Sequence, residues 1–379
     1  MNILVVAHYQ NDGSPSAIFI HEQAKAYAAL GHTVRVIVPV AIGKRGYQTA
    51  ARLRNRCTLI DGIPHFYVRY LSLSRYGVGG FNTRSAISAL KRHYSAVLAD
   101  FIPDVIHAHT LGFDSDLGAW LKGRLSVPLV VTTHGSDASV PYERGQLDWL
   151  REKADRADTV VAVSSVLANK IRASGTATPV RTILNGFALS AMPESCEKVP
   201  YSVLQVGHLI AQKRVDITLR AFAKLREHHP SATLTVIGQG SERERLETLC
   251  AQLGIAQAVR FTGQLPNRDV LAEMAQAQFF CMPSVREGFG IVYLEAMASG
   301  CITIGTQGEG IADLIVSEKN GFLVPPDHPD AIAEVMEWCL AHPGEADAIA
   351  EQGRRDAMGL TWERNAAAYI QLFQSLTSK

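Results

Sequence analysis

The chain has little that would mark it as secreted, membrane-spanning or metal-bound. Its six cysteines in 379 residues (57, 196, 250, 281, 301 and 339) stand far apart and form no C-x-x-C pair. That spacing argues against a zinc site and a disulfide framework, and suits a reducing compartment. No apolar run approaches the roughly 20 residues a spanning helix needs. The opening MNILVVAHYQND carries no basic leader, and its apolar stretch is too short for a signal peptide. These absences point to a cytoplasmic protein, attached at most to the inner face of the cell membrane. There is no low-complexity segment, no nucleic-acid-binding motif and no bulk charge of one sign: the formal net charge is +1.

What is present is ordinary in amount and uneven in placement. Hydrophobic residues make up 47% and charged residues 19%, as in globular proteins generally. The length exceeds what one core usually serves, so two domains are expected. Residues 1–190 hold 21 Lys/Arg against 13 Asp/Glu (+8), and residues 191–379 hold 16 against 23 (−7). A basic first half suits an anionic partner, such as a phosphorylated acceptor or a membrane face.

Apolar runs alternate with helical spacing along both halves. Strands are expected at Ile3–Ala7, Thr33–Val38, His65–Leu71, Asp104–Ala108, Pro128–Thr132, Thr159–Val163 and Val180–Leu184, with helices between them. Asn185–Pro200 reads as a linker. A second set of strands follows at Ser202–Val206, Thr233–Ile237, Val259–Thr262, Phe279–Met282, Cys301–Gly305 and Phe322–Val324. Such alternation predicts an α/β fold of two doubly wound, Rossmann-like domains, 1–190 and 200–360, with ligands bound at the carboxyl ends of the strands. The stretch 361–379 predicts a helix whose apolar face (Trp362, Ala366, Tyr369, Ile370 and Phe373) packs back on the first domain or stays on the second.

The chemistry concentrates in CMPSVREGFGIVYLEAMASG, residues 281–300. Its order is strand, glycine turn, helix, which aims unpaired backbone amides at whatever lies above the strand end and so forms an anion site. Glu287 in the turn and Glu295 in the helix, with seven residues between them, suit a hydroxyl-rich ligand, because carboxylate oxygens accept hydrogen bonds from sugar and ribose hydroxyls.

This stretch, together with VGHLIAQK (206–213), GEGIADLI (308–315), DVIHAH (104–109), TTHGSD (132–137) and ILNGF (183–187), resembles the family 4 retaining glycosyltransferases of GT-B architecture over essentially the whole chain. The resemblance implies transfer of a sugar from a nucleotide-diphosphate donor to an acceptor hydroxyl with retained anomeric configuration. It places Glu287 on the donor sugar, Glu295 on the ribose, and the amides of Phe289, Gly290 and Ile291 around the diphosphate. Lys213 would neutralise the departing phosphate beside those amides, and His134 would stand by the donor sugar. Gly207, Gly238, Gly240 and Leu265 are expected near the nucleotide, and Gly13, His109 and Asn185 near the acceptor or on the cleft floor. No metal or other cofactor is expected; the nucleotide sugar is a co-substrate, and the acceptor a glycan or lipid-linked hydroxyl in cell-surface polysaccharide or glycolipid assembly.

Two departures from the family pattern stand out. His208 occupies the place where an Arg is usual, exchanging a permanent charge for one that depends on pH. The first loop holds Gly13 and Pro15 where a double glycine is common. Alternative readings are a nucleotide-sugar epimerase or a phosphorylase on the same fold, or a donor-binding protein with impaired catalysis.

Overall fold

The computed structural model describes residues 1–8, 18–42, 57–72, 80–189, 192 and 197–378. Gly13, Pro15 and the basic positions Lys44, Arg45, Arg52, Arg54 and Arg56 lie outside the described residues.

The first unit comprises residues 1–184 and 362–379. Its strands are β1 (Asn2–Val6), β2 (Thr33–Ile42), β3 (Cys57–Ile60), β4 (Ile63–Leu71), β5 (Val105–His109), β6 (Leu129–Thr133), β7 (Thr159–Ala162) and β8 (Val180–Thr182). They form one sheet in the order β3-β4-β2-β1-β5-β6-β7-β8. All neighbours are parallel except β3, which runs antiparallel to β4. The helices are α1 (Ile18–Ala29), α2 (Phe81–Leu98), α3 (Phe113–Leu125), α4 (Ser136–Glu143), α5 (Leu147–Ala154) and α6 (Ser165–Arg172). The central strands are buried throughout, as expected of a parallel sheet covered on both faces.

Three local features differ from the expected elements. Strand β2 runs on past Val38 through Pro39. The Ile37 carbonyl accepts from Ala7, so the backbone groups of residues 37 and 39 face β1, and β1 has ended by Pro39; the missing N–H costs no ladder bond there. Strand β3 joins β4 through Asp61 and Gly62, both at positive φ, the geometry of a two-residue hairpin turn. Helix α4 forms although it contains Pro141. The Asp137 carboxylate holds its start, accepting from His134 (3.1 Å) and Gly135 (2.9 Å) on one oxygen and from Leu111 (2.9 Å) on the other.

The second unit, residues 185–361, contains β9 (Val199–Val206), α7 (Val215–His228), β10 (Thr233–Ile237), α8 (Arg243–Gln252), β11 (Val259–Gly263) and α9 (Asn267–Gln276). It continues with β12 (Ala277–Cys281), α10 (Ile291–Ala298), β13 (Ile302–Thr306), β14 (Phe322–Val324), α11 (Pro329–Ala341) and α12 (Pro343–Met358). Its sheet is parallel in the order β11-β10-β9-β12-β13-β14. Strand β9 starts at Val199, inside the stretch read as linker. Phe222, Leu234, Phe279, Ile304 and Met336 lie in its buried core.

The chain then returns. Helix α13 (Trp362–Thr377) belongs to the first unit and packs on α1. Tyr369 and Phe373 are fully buried, with their rings 6.4 and 5.8 Å from that of Tyr27. Tyr369 Oη lies 2.9 Å from Thr132 Oγ1, which is 2.8 Å from His107 Nε2. Gln23 donates to Asn365 (2.6 Å), and Asn365 donates to the Leu184 carbonyl (2.7 Å). Burial pushes the His107 imidazole down to about 3, so it stays neutral within this network. Phe373→Ala should cost about 3–5 kcal/mol of stability by chemical denaturation; a loss below about 1 kcal/mol would show that α13 does not close this core.

Candidate functional site

The strand order of the second unit reverses between β9 and β12, so the loops leaving their carboxyl ends diverge and open a crevice. After β9 the chain turns at Gly207, whose N–H donates to the Ile237 carbonyl (2.9 Å). It then makes a short 3-10 turn, Ala211–Lys213. Gln205, buried at the end of β9, donates its amide to the Lys213 carbonyl (2.9 Å) and so fixes the lysine backbone. The lysine stem lies over Gly207: a Cβ there would stand 3.6 Å from Lys213 Cδ and Cε.

The loop after β12 is stitched to this turn. Val285 N–H donates to the Gln212 carbonyl (3.0 Å), and the Gln212 amide donates to the Arg286 carbonyl (2.9 Å). Lys213 Nζ forms an ion pair with Glu287, both side chains being mostly shielded from solvent. Glu309 holds the Glu287 turn from the other side. One oxygen of its carboxylate accepts from Arg286 N–H (2.9 Å) and the other from Glu287 N–H (2.8 Å). Gly310 lets the two loops touch, since a Cβ there would lie 2.0 Å from the Gly288 carbonyl oxygen.

Helix α10 starts directly beyond. Gly290 sits at φ +81, where a Cβ would come within 2.7 Å of the Tyr293 ring. The Tyr293 hydroxyl donates to the Met282 carbonyl, tying the helix to the end of β12. The first bond near the helix start is Tyr293 N–H to the Gly290 carbonyl (3.0 Å). The amides of Phe289, Gly290 and Ile291 therefore precede any acceptor of the helix and present its positive end. Glu295 stands about one turn further along. Burial pushes its carboxyl up to about 7 from an ordinary 4.5, and a hydrogen bond with Asn267 limits the rise.

Gly238 and Gly240 have a structural explanation of their own. A Cβ on Gly238 would lie 1.8 Å from the Gly207 carbonyl oxygen, and one on Gly240 would lie 2.2 Å from that of Leu209. The close approach that requires glycine at both positions is thus backbone against backbone, with no ligand needed to account for it. His208 is exposed on the same loop, and Leu265 is half-buried beyond β11.

In the first unit, His134 follows β6 and stacks on His109, with ring planes 9° apart and Nε2 3.0 Å from His109 Nδ1. Burial lowers His134 to about 4 against the opposing pull of Asp137 and Asp114; it lowers His109 as well, helped by His107 and His134. His109, 1% exposed, lies behind His134 and does not reach the surface expected of an acceptor contact. Asn185 is buried at the start of the second unit. Residues not anticipated include Gln205, Gln212 and Glu309, and a pair in the first unit, His8 and Asp114. Glu309 and Gln212 lay inside segments already singled out, and Gln205 stands just before one of them; His8 and Asp114, 106 residues apart, left no signal. Among the described residues, no group of three or more His, Cys, Asp or Glu side chains is arranged to hold a metal.

Two family models match the chain: "Glycosyl transferases group 1" over residues 194–356 and "Glycosyltransferase Family 4" over residues 16–191. Both models are of glycosyltransferases and together span most of the chain, the group 1 match lying in the second unit and the family 4 match almost wholly in the first. Among its relatives are an uncharacterized glycosyltransferase of Methanocaldococcus jannaschii and a glycogen synthase of Mycobacterium tuberculosis. The first is 35% identical over 174 residues, 45% of this chain and 44% of that one. The second is 27% identical over 293 residues, 72% and 68% of the two chains. A D-inositol 3-phosphate glycosyltransferase of Corynebacterium urealyticum is 33% identical over 178 residues, 45% of this chain and 42% of that one. Among solved structures, the sucrose-phosphate synthase of Thermosynechococcus elongatus covers 100% of this chain and 99% of its own at a TM-score of 0.79 and 20% identity. Anabaena HepE in complex with UDP-glucose gives 0.76 and 19%, covering 99% and 100%. These likenesses establish the GT-B fold of this glycosyltransferase.

Two substitutions probe the site without a ligand. Glu309→Ala leaves two amides of the Glu287 turn without their acceptor and should cost about 1–3 kcal/mol by denaturation; an unchanged stability would mean the carboxylate does not hold the turn. For Glu295 the folded value lies above the unfolded one, so stability falls as pH rises from about 4.5 through about 7. Glu295→Gln should raise the melting temperature relative to the parent chain at pH 8 and not at pH 4; an equal difference at both would show that the carboxyl is not perturbed.

Proposed function

We propose that this glycosyltransferase moves a hexose from a nucleotide-diphosphate donor to an acceptor hydroxyl with retention of anomeric configuration, in cell-surface polysaccharide or glycolipid assembly. The observation that carries the reading is the Lys213–Glu287 pair beside the open start of α10, at the point where the sheet order reverses. A diphosphate set there meets an ammonium group and the amides of residues 289–291. It takes Lys213 over from Glu287, and the freed carboxylate accepts hydrogen bonds from the sugar hydroxyls. As the bond from the anomeric carbon to the phosphate oxygen breaks, negative charge grows on that oxygen. The ammonium and the helix end are already oriented to receive it, which is electrostatic preorganisation.

In this reading Glu295 takes the ribose hydroxyls, and His208 and Gly207 lie along the diphosphate. Gly238, Gly240 and Leu265 shape the nucleotide pocket, and His134, neutral through burial, meets a hydroxyl of the donor sugar. The fixed positive groups supply the charge neutralisation, so no metal or further cofactor is invoked. The protein names of neighbours support the donor class: HepE has been solved with UDP and glucose and with UDP-glucose. The basic first half suits a lipid-phosphate or glycan acceptor at the inner membrane face. Among the described residues no helix is long and apolar enough to cross a membrane.

A thermal-shift screen against nucleotide sugars identifies the donor, because a ligand bound only by the folded state raises its melting point. With that donor, Lys213→Ala should lower turnover by about 100-fold or more; retention of activity within about threefold would sink the assignment. Release of free sugar phosphate would indicate a phosphorylase, interconversion of the donor an epimerase, and binding without turnover an impaired donor-binding protein.

A further inference from the structure

The first unit has its own reversal of strand order, between β1 and β5. His8 follows β1 at that point, and Asp114 lies in the first turn of α3, which follows β5. The two are 106 residues apart in sequence and paired in space: His8 Nδ1 meets one oxygen of the Asp114 carboxylate. The other oxygen accepts from the His8 backbone N–H (3.3 Å) and from the Thr110 hydroxyl (3.0 Å). Asp114 is fully buried, while the His8 side chain is 35% exposed. The imidazole packs edge-on against half-buried Phe113, centroids 4.4 Å apart. Tyr70 Oη stands 3.4 Å from Nε2, at the outer limit of a hydrogen bond.

This arrangement fixes a tautomer. A carboxylate oxygen accepts, so the contact places the proton on Nδ1 and leaves the lone pair on Nε2. A fully buried carboxylate satisfied by three donors is a costly way to hold one exposed ring. Its product is an imidazole that cannot rotate and that presents an acceptor at the carboxyl end of the sheet. The long contact to Tyr70 engages that lone pair weakly, so a shorter bond from an incoming hydroxyl replaces it.

We infer that His8 is an acceptor-binding residue: its Nε2, set by Asp114, takes the hydrogen bond of the saccharide hydroxyl that is to receive the sugar. The inference rests on the sugar-transfer reading above and adds the group that orients the nucleophile. Among the described residues, Asp114 from α3 and Tyr70 from β4 face His8; burial, with Asp114 adding, raises the Tyr70 hydroxyl to about 12, so it stays protonated near neutral pH.

The test uses the full chain, the nucleotide sugar that most raises its melting point, and a panel of methyl and octyl glycosides as probe acceptors. His8→Gln should lower kcat/KM for the probe by about tenfold or more, while the donor still raises the melting point. Asp114→Asn, whose amide donates to Nδ1 and moves the ring proton to Nε2, should lower kcat/KM for the probe likewise. If Asp114→Asn fails to fold, His8→Gln decides alone. A His8→Gln chain that stays within about threefold of the parent overturns the inference and leaves the transfer reading standing. If the parent chain neither transfers nor gains stability from any nucleotide sugar, the transfer reading itself falls and takes this inference with it.

Discussion

Everything at the second unit's crevice depends on one constraint: β9 and β12 are neighbours whose following loops leave in opposite directions. A parallel sheet with that order cannot fill the gap above its central pair with its own connections. The gap is instead bounded by the Lys213 turn on one side and the Glu287 turn on the other, joined through Gln212 and the Lys213–Glu287 pair. An ammonium and a carboxylate held together in partial burial satisfy each other there.

The loops that carry this pair are set by backbone contact as much as by side chains. Glycines at 238, 240 and 310 allow neighbouring loops to approach within distances that any Cβ would forbid. Glu309 then places its carboxylate on two amides of the Glu287 turn, just before the chain enters α10. The first unit shows the same economy around Asp137 and Asp114, each a carboxylate that binds backbone N–H groups and orients the chain after a central strand. In both units, polar groups at strand ends hold the loops, and apolar burial beneath holds the strands.

Much of the fold was legible because parallel strands buried on both faces read as uninterrupted apolar runs. β10 and β14 occupy the residues expected of them, and most other elements differ by one or two at each end. The exceptions follow from interactions that local spacing does not carry. β3 is four residues long and owes its strand character to pairing with β4. α4 contains a proline and is secured by Asp137. β2 passes through Pro39 because β1 stops short of it. At the site, the strand–turn–helix around Glu287 was readable from its glycines and apolar run. The partnership of Glu287 with Lys213, 74 residues away, was not readable from spacing, and neither was its support from Glu309.

By itself the sequence determined two alternating α/β halves, the glycine turn that opens the start of α10, and the residues carrying the resemblance to glycosyltransferases; each is a local pattern of burial, backbone freedom or motif. Only the tertiary structure decided that α13 returns to the first unit, that Glu309 restrains the Glu287 turn, and that Asp114 fixes the ring of His8. Those outcomes rest on contacts between residues far apart along the chain, and a side chain's partner across such a distance is chosen by packing of the folded sheet, which no local period encodes.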